Sequence, residues 1–561
     1  MSLTKRDLIL IAFICFACFF FRLGSVGLFD FNEGFYAQVA REMQLRGDWI
    51  TPRVNGLFFF DKPPLAIWLS AISIRLLGAS PFAVRLPVAL AATALVYATA
   101  FFGARYFGRR TGLLAGIFIA LNPLFFGTAR QMTMDIHQSL WFAVAMFSFY
   151  RGYRGEKRWY WGFWAACGLA YLAKSIPGLF ALPCVLIFVI INERYNTRAI
   201  MLRIWEAMPV PGIFLLFAVI APWHYLAWSA NGRVFYEEYW LLHHVKLATG
   251  GDFSHKQPLW YYIPMFATGF FPWSFMLPAV PAIHLEDSQQ KETFRFCLIW
   301  AITLVVIFTL MTSKLMSYLL PMYPAAALLS GLAVSRAMDK TCSLLEGRII
   351  KGAIIAAGFI LIAALVAGLI AASGLSPDKI EELSPGLLMY ARHALWLLAL
   401  GGVTSAGLAI MQFQRRAIIM LIITMTAFIF LTVTEGFQKY QSSQNAPLQT
   451  MARHAGKMQE NGIPLAIHIG RPRRPSVLFY LPDSAFVKKP LSKKVGDREI
   501  VLERGEIEPI ESFIKLQPLS LILTDYKRAD NLKHDGFQTN VIEAAGPWRL
   551  LLATRSSEPI R

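Results

Sequence analysis

Residues 86–110 read LPVALAATALVYATAFFGARYFGRR. From Leu86 to Ala104 no residue carries a charge, and then Arg105, Arg109 and Arg110 follow close together. An uncharged apolar run of about 18 residues or more is long enough to cross the hydrocarbon core of a bilayer as a helix. Arginines that end such a run mark its cytoplasmic side, because Lys and Arg in short loops resist translocation. Working outward, the same unit repeats from Leu8 to Leu431. By this criterion the chain has roughly thirteen spans. They centre near Phe16, Leu95, Ile119, Ala143, Ala166, Val185, Leu216, Phe271, Val305, Ala326, Ile360, Ala399 and Met425.

Basic residues occupy every second loop. After Lys5 and Arg6 come the 105–110 cluster, Arg151/Arg154/Lys157/Arg158, Arg194/Arg198/Arg203, Lys291/Arg295, Arg336/Lys340/Arg348/Lys351 and Arg415/Arg416. These loops are predicted to be cytoplasmic, and the alternate set faces out together with the tail after Glu435. Composition agrees with a membrane protein. Apolar residues make up 56%, charged residues 16%, and the mean hydropathy is +0.47, whereas a soluble domain is about 25% charged. The net charge of +19 is therefore partly topological and does not point to nucleic acid. No small-residue cleavage site follows the first span, so it reads as a permanent helix rather than a signal peptide. The cysteines lie in spans or at cytoplasmic ends, which suggests no disulfide framework.

Two outside loops are long. Residues 29–80 hold an amphipathic stretch, Gly34 to Leu45, and an apolar one, Pro64 to Leu77, too short to span and predicted to lie at the interface. Residues 231–258 hold a third, Val234 to Leu247. The tail is polar, with strand-like runs at Pro464–Ile469, Val477–Tyr480, Leu521–Thr524 and Trp548–Ala553. Two domains are thus expected: residues 1–435 in the membrane and residues 436–561 as a small outside α/β domain.

The unusual polar residues all fall in the outside set. They are Asp30, Asn32, Glu33, Asp61, Lys62, Asp135, Lys174, His243, His244, Lys246 and Lys314. Ionisable residues at membrane depth are costly and usually functional, whereas at an interface any one of them can be a solvated helix end. Gathered on one face, lysines suit a phosphate as compact positive charges. Carboxylates suit a general base towards a hydroxyl, or a cation. The combination points to chemistry on a phosphate-linked lipid that enters sideways from the bilayer.

Five motifs, in order, then carry a resemblance. They are Phe31-Asn32-Glu33-Gly34-Phe35-Tyr36 through Met43, Gly47-Asp48-Trp49 through Gly56, Asp61-Lys62-Pro63-Pro64-Leu65, Trp260-Tyr261-Tyr262-Ile263-Pro264, and Ser313-Lys314-Leu315-Met316-Ser317-Tyr318 through Pro321. Over about residues 8 to 435 the chain resembles the bacterial lipid-linked sugar transferases of the GT-C fold. That family includes transferases that modify lipid A and lipopolysaccharide and, more distantly, protein O-mannosyltransferases. The resemblance implies an α-helical integral membrane protein with thirteen helices, interfacial helices in the first and fourth outside loops, and a small outside C-terminal domain. It also implies an inverting transfer of a sugar from a polyprenyl phosphate to a lipid, glycan or protein acceptor at the outer face of the inner membrane. No nucleotide cofactor is expected.

Residue by residue, the resemblance implies Lys62 as the phosphate-binding lysine and Asp135 as the second acidic residue. Lys174, Lys246, Lys314 and Tyr318 are further candidates for binding substrate. It implies zinc on Asp61 and His244, although two ligands are fewer than the three of a catalytic zinc site. The family's first acidic pair stands here as Asn32-Glu33, so Glu33, or Asp30 nearby, is left to supply the carboxylate. An arginine shortly after that pair is replaced by Phe35, and another near the histidine by Leu247. A transporter is the rival class. It would show paired repeats and broken helices at the midplane, and the sequence shows polar residues near one surface instead.

Overall fold

The computed structural model describes residues 2–30, 32–246, 256–373, 385–444 and 446–460. In the tail it describes 463, 465–468, 476–481, 492–495, 498–501, 519–534, 537–545 and 548–554. The chain divides into two compact units. The first comprises Met1–Leu23, Asp61–Ala66 and Leu86–Gly436; the second comprises Gly24–Phe60, Ile67–Arg85 and Phe437–Arg561. Residues 24–60 of the first long loop thus group with the tail.

The first unit is helical. Among the described residues seven helices are long and apolar enough to cross a membrane: Pro81–Tyr106, Pro209–Leu242, Ser288–Leu310, Met316–Asp339, Leu344–Gly368, Gly386–Ile410 and Gln414–Tyr440. Two bent pairs, Arg109–Ala120 with Pro123–Ala129 and Leu259–Gly269 with Trp273–Ala282, raise the number to nine. The remaining predicted spans fall on helices that are shorter or more polar. Met134–Tyr153 is 20 residues long but begins with Asp135, His137, Gln138 and Ser139, of which the last three are buried. A helix enclosed by other helices has no need of a lipid-compatible surface.

Local chemistry sets the helix ends. Thr4 and Asp7 form a reciprocal capping box at the start of Lys5–Cys15. Asn122 caps Pro123–Ala129, its side-chain oxygen accepting from the Phe125 amide at 2.8 Å, and Pro123 occupies a first-turn position where its missing N–H costs nothing. Trp159–Lys174 ends on Ser175, whose φ is +69°, before Ile176–Phe180 and Ala181–Asn192 follow. Helices approach closely at glycines. A Cβ on Gly112 would stand 2.3 Å from the Ala100 carbonyl oxygen, and one on Gly358 would stand 2.6 Å from that of Gly402. Without a hydrophobic drive between helices in lipid, such small-residue contacts supply the packing.

The second unit holds the helices Asn32–Arg46 and Leu65–Leu77 (from Ile67), the hairpin Arg53–Val54 with Leu57–Phe58, and the tail. In the hairpin Asn55 and Gly56 both have positive φ, as a tight two-residue turn requires. Their amides donate to the buried Glu42 carboxylate. The tail carries a four-stranded sheet ordered Leu465–His468, Ser520–Asp525, Trp548–Thr554 and Gln538–Ala545. The first pair is parallel and the others antiparallel. Ile522, Leu551 and Ala553 of the sheet pack with Ala529, Leu532 and Phe537 to form its core. One expectation is corrected here. Val477–Tyr480 is not a strand; Ser476–Phe479 forms a single helical turn packed on Asn32–Arg46.

Candidate active site

In the first unit the helix Met134–Tyr153 presents Asp135 in its opening turn, and Trp159–Lys174 presents Lys174 in its last. The Lys174 ammonium pairs with the Asp135 carboxylate. It also lies 4.4 Å from the centre of the Tyr318 ring, a cation–π contact. Tyr318 belongs to Met316–Met322, the turn that leads into Tyr323–Asp339. Lys62 lies beside Asp61, Nζ to Oδ1 3.3 Å, with about a quarter (24%) of its side chain exposed. The charges act on one another: Lys62 repels Lys174, and Asp61 and Asp135 both bear on the Tyr318 phenol. Four expected residues thus meet around Tyr318: Asp61, Lys62, Asp135 and Lys174.

Lys314 does something else. It is buried, and its ammonium donates to the backbone carbonyls of Met311 at 2.6 Å and Gln257 at 3.2 Å. With the backbone bridge between Lys256 and Ser313, it ties the end of the fourth outside loop to the turn before Met316. Two of the three donors of its ammonium are thus used within the protein. His244 and Lys246 fall in the last turn of Tyr236–Lys246, and their side chains, like that of His243, lie outside the described residues; so does Leu247. Among the described residues no group of three or more His, Cys, Asp or Glu side chains is arranged to hold a metal ion, and Asp61 is engaged with Lys62. The zinc expected on Asp61 and His244 involves a histidine side chain that lies outside the described residues.

In the second unit Glu33 opens the helix Asn32–Arg46 and is 2% exposed. Its two oxygens take the Arg85 guanidinium from two sides, at 2.7 and 2.8 Å, and one of them also accepts from the Phe29 amide at 2.7 Å. Arg85, itself 2% exposed, donates further to the carbonyls of Val26 and Gly27 and lies over the Phe29 ring. Both oxygens of the Glu33 carboxylate are thus engaged in this buried pair. Asp30 is half-buried and accepts from the Ser476 amide at 3.0 Å. Asn32 is exposed, and Phe35 stacks on Phe59.

Arg85 is the residue that the sequence reading missed. Its signal was available: an arginine at the end of the 86–104 run opposite the basic 105–110 cluster runs against the charge bias of the loops and calls for a buried partner.

The model of the dolichyl-phosphate-mannose-protein mannosyltransferase family matches residues 61–229, the stretch that holds Asp61, Lys62, Asp135 and Lys174. Curated relatives include undecaprenyl phosphate-alpha-4-amino-4-deoxy-L-arabinose arabinosyl transferases. The one from Pectobacterium atrosepticum is 31% identical over 314 residues, 54% of each chain, and the one from Aeromonas salmonicida is 30% identical over 343 residues, 60% of each. The chain thus spans about half the length of the curated relatives it matches. Among solved structures, ArnT from Cupriavidus metallidurans bound to undecaprenyl phosphate superposes with a TM-score of 0.78 at 21% identity, covering 98% of both chains. The apo Archaeoglobus fulgidus oligosaccharyltransferase gives 0.50 at 14% identity, over 86% of this chain and 63% of that one. The chain therefore has the GT-C fold, and its sequence is similar over part of its length to glycosyltransferases that use polyprenyl-phosphate sugars.

Proposed function

We propose that the chain is an inverting glycosyltransferase that moves a sugar from a polyprenyl phosphate, such as undecaprenyl phosphate, to a lipid A or other cell-envelope acceptor. The observation that carries this reading is the grouping of Asp61–Lys62 with the Asp135–Lys174 pair over Tyr318. Lys62 is the partly exposed cation of the group. It stabilises the negative charge that grows on the departing phosphate, which is electrostatic catalysis. Lys174, fixed by Asp135 and Tyr318, adds to the local positive field and orients the carboxylate. With a hydroxyl acceptor Asp135 takes the proton; with a phosphate acceptor no base is needed and Asp135 orients the sugar.

The seven to nine apolar helices, together with the shorter and more polar ones, support a thirteen-span arrangement. The helices Asn32–Arg46, Leu65–Leu77 and Tyr236–Lys246 then lie at the interface, and the alternation of basic loops places the site and the tail on the periplasmic side. Labelling of single cysteines with an impermeant reagent checks this: position 450 reacts from outside and position 198 does not.

The deciding experiment supplies purified protein in nanodiscs with undecaprenyl phosphate-linked sugars and lipid A, and follows both by mass spectrometry. Transfer to lipid A supports the reading. Transfer to a peptide hydroxyl favours the second reading, protein O-glycosylation, which the mannosyltransferase family match supports. Movement of donor across the membrane with no transfer would identify a transporter and refute both.

A further inference from the structure

The helix Ser288–Leu310 ends on Met311, and the last carbonyls of any helix have no partner within it. Lys314 turns back three residues and gives the Met311 carbonyl a cationic donor at 2.6 Å, the charge that a helix C-terminus favours. A cap at the surface would need no more than this. Lys314, however, is 3% exposed, and a buried ammonium is costly unless its donors are met. Its second contact reaches outside the local sequence, to the Gln257 carbonyl at 3.2 Å, and the backbone bridge between Lys256 and Ser313 runs alongside. The turn held in this way leads into the site. The Ser313 side chain hydrogen-bonds the Tyr318 phenol, and the Tyr318 amide donates to the Leu315 carbonyl at 3.1 Å. The Tyr318 ring lies 5.7 Å from that of Phe308, in the last turn of Ser288–Leu310, and 4.4 Å from the Lys174 ammonium. All of these residues belong to the first unit.

We propose that Lys314 is a positioning residue for the transfer reaction: by joining the end of Ser288–Leu310 to the 256–257 segment it sets the 313–318 turn, and with it the Tyr318 ring on which the Asp135–Lys174 pair is placed. This role rests on the reading of the chain as a glycosyltransferase, which gives the chemical work to Lys62, Asp135 and Lys174. The lever is short. The Tyr318 hydroxyl is held by Ser313, the neighbour of Lys314, and its ring lies between Phe308 and the Lys174 ammonium. A shift of the turn therefore moves the ring, and Lys174 loses the aromatic face that fixes it. Lys314 touches no reacting atom in this role; it acts through Tyr318.

The test uses full-length protein in nanodiscs carrying Lys314→Met, which fills similar space without the charge or the donors. Amide exchange is read by mass spectrometry over residues 256–262 and 311–318. Brief treatment with acetic anhydride reports the exposure of the Lys174 ammonium, and transfer kinetics come from the same samples. Exchange over the two segments is expected to rise by more than about tenfold, the effect of losing a hydrogen bond from a charged group, while exchange in Pro385–Ile410 stays unchanged. Acetylation of Lys174 speeds up relative to Lys157, which lies just before the other end of the same helix. kcat falls by about tenfold or more, since a misplacement of about 1 Å can cost about a hundredfold. The double variant Lys314→Met/Tyr318→Ala is no slower than Tyr318→Ala alone, as a residue acting through Tyr318 requires. Ser313→Ala, a milder change that removes one hydroxyl, moves Lys174 acetylation and kcat in the same direction. Wild-type exchange over both segments in Lys314→Met would overturn the fastening. Faster exchange with wild-type acetylation of Lys174, or with an unchanged kcat, would overturn the positioning role, and additive losses in the double variant would show Lys314 acting on the substrate itself. If the wild-type protein transfers no sugar, the proposed function fails, while faster exchange and acetylation in Lys314→Met would still establish that Lys314 sets the contact between Tyr318 and Lys174.

Discussion

Glu33→Gln separates a buried ion pair from a general base. The substitution keeps the size of the side chain and one acceptor oxygen but removes the charge that faces Arg85. In the native protein the Arg85 guanidinium is 2% exposed, and two of its contacts, at 2.7 and 2.8 Å, are to Glu33. Removing one partner of a buried pair costs about 3–5 kcal/mol, because the other charge stays behind in a dry site. An exposed pair would cost about 0–1 kcal/mol. The retained amide oxygen and the Val26 and Gly27 carbonyls soften the loss, so about 3 kcal/mol is expected. Arg85→Gln should cost a similar amount, and the double variant should cost less than the sum by about 2 kcal/mol, within the range seen for groups in direct contact. The assay is unfolding of purified protein followed by tryptophan fluorescence, with sugar transfer measured on the same samples. Additive losses in the double variant would refute the pairing as the main role. So would a Glu33→Gln protein as stable as wild type but slower by about a hundredfold, the lower range for a missing general base.

Lys62→Ala should weaken binding of undecaprenyl phosphate by more than about tenfold, since a charge-assisted contact is worth about 1.5–3 kcal/mol; calorimetry with the lipid in nanodiscs checks it, and unchanged affinity removes Lys62 from the site. Gly112→Ala should destabilise the first unit by about 1–3 kcal/mol, the usual cost of overpacking, because the new Cβ meets the Ala100 carbonyl at 2.3 Å; an unshifted melting midpoint would show that the crossing can open. The Tyr480 hydroxyl accepts the amide of Leu28 at 2.9 Å, and burial pushes its phenol from the usual 10 up to about 12. A raised folded-state value means that this group's contribution to stability is complete below about pH 10 and is lost as pH rises towards 12. Alkaline loosening of residues 24–34, read by amide exchange, should therefore show a component in that window in wild type and lose it in Tyr480→Phe.

Much of the fold was written in short stretches. An uncharged run such as 86–104 declares a helix by its length alone, and strands such as Ser520–Asp525 and Trp548–Thr554 show in apolar content and alternation. Helices enclosed by protein are less legible, because His137, Gln138 and Ser139 are buried without the hydropathy that lipid would demand. The run Val477–Tyr480 misled because four apolar residues have no readable period; its helical turn is set by the first-loop helix on which it packs and by Arg41, far away in sequence, whose guanidinium reaches the carbonyls of Phe479 and Leu481. The candidate site divides in the same way. Asp61, Lys62, Asp135 and Lys174 were legible as isolated charges beside apolar runs. That Lys314 spends its ammonium on two carbonyls, and that Glu33 is taken by Arg85, depends on backbone and side-chain positions that no local pattern encodes.

The contact between Leu28 and Tyr480 spans 452 positions, and this bears on how the protein is made. The first outside loop leaves the ribosome long before the turn that receives it. At about 5–20 residues per second, synthesis of the intervening chain takes on the order of tens of seconds. Throughout that interval the Leu28 amide and the Arg41 guanidinium lack their final partners and must be carried by water, lipid headgroups or a chaperone. The loop acquires its native setting only after the tail has been synthesised and has folded. Premature termination after Tyr440 and before residue 476 would thus leave a chain whose apolar helices are all synthesised but whose first loop never closes, a species suited to recognition by membrane quality-control proteases.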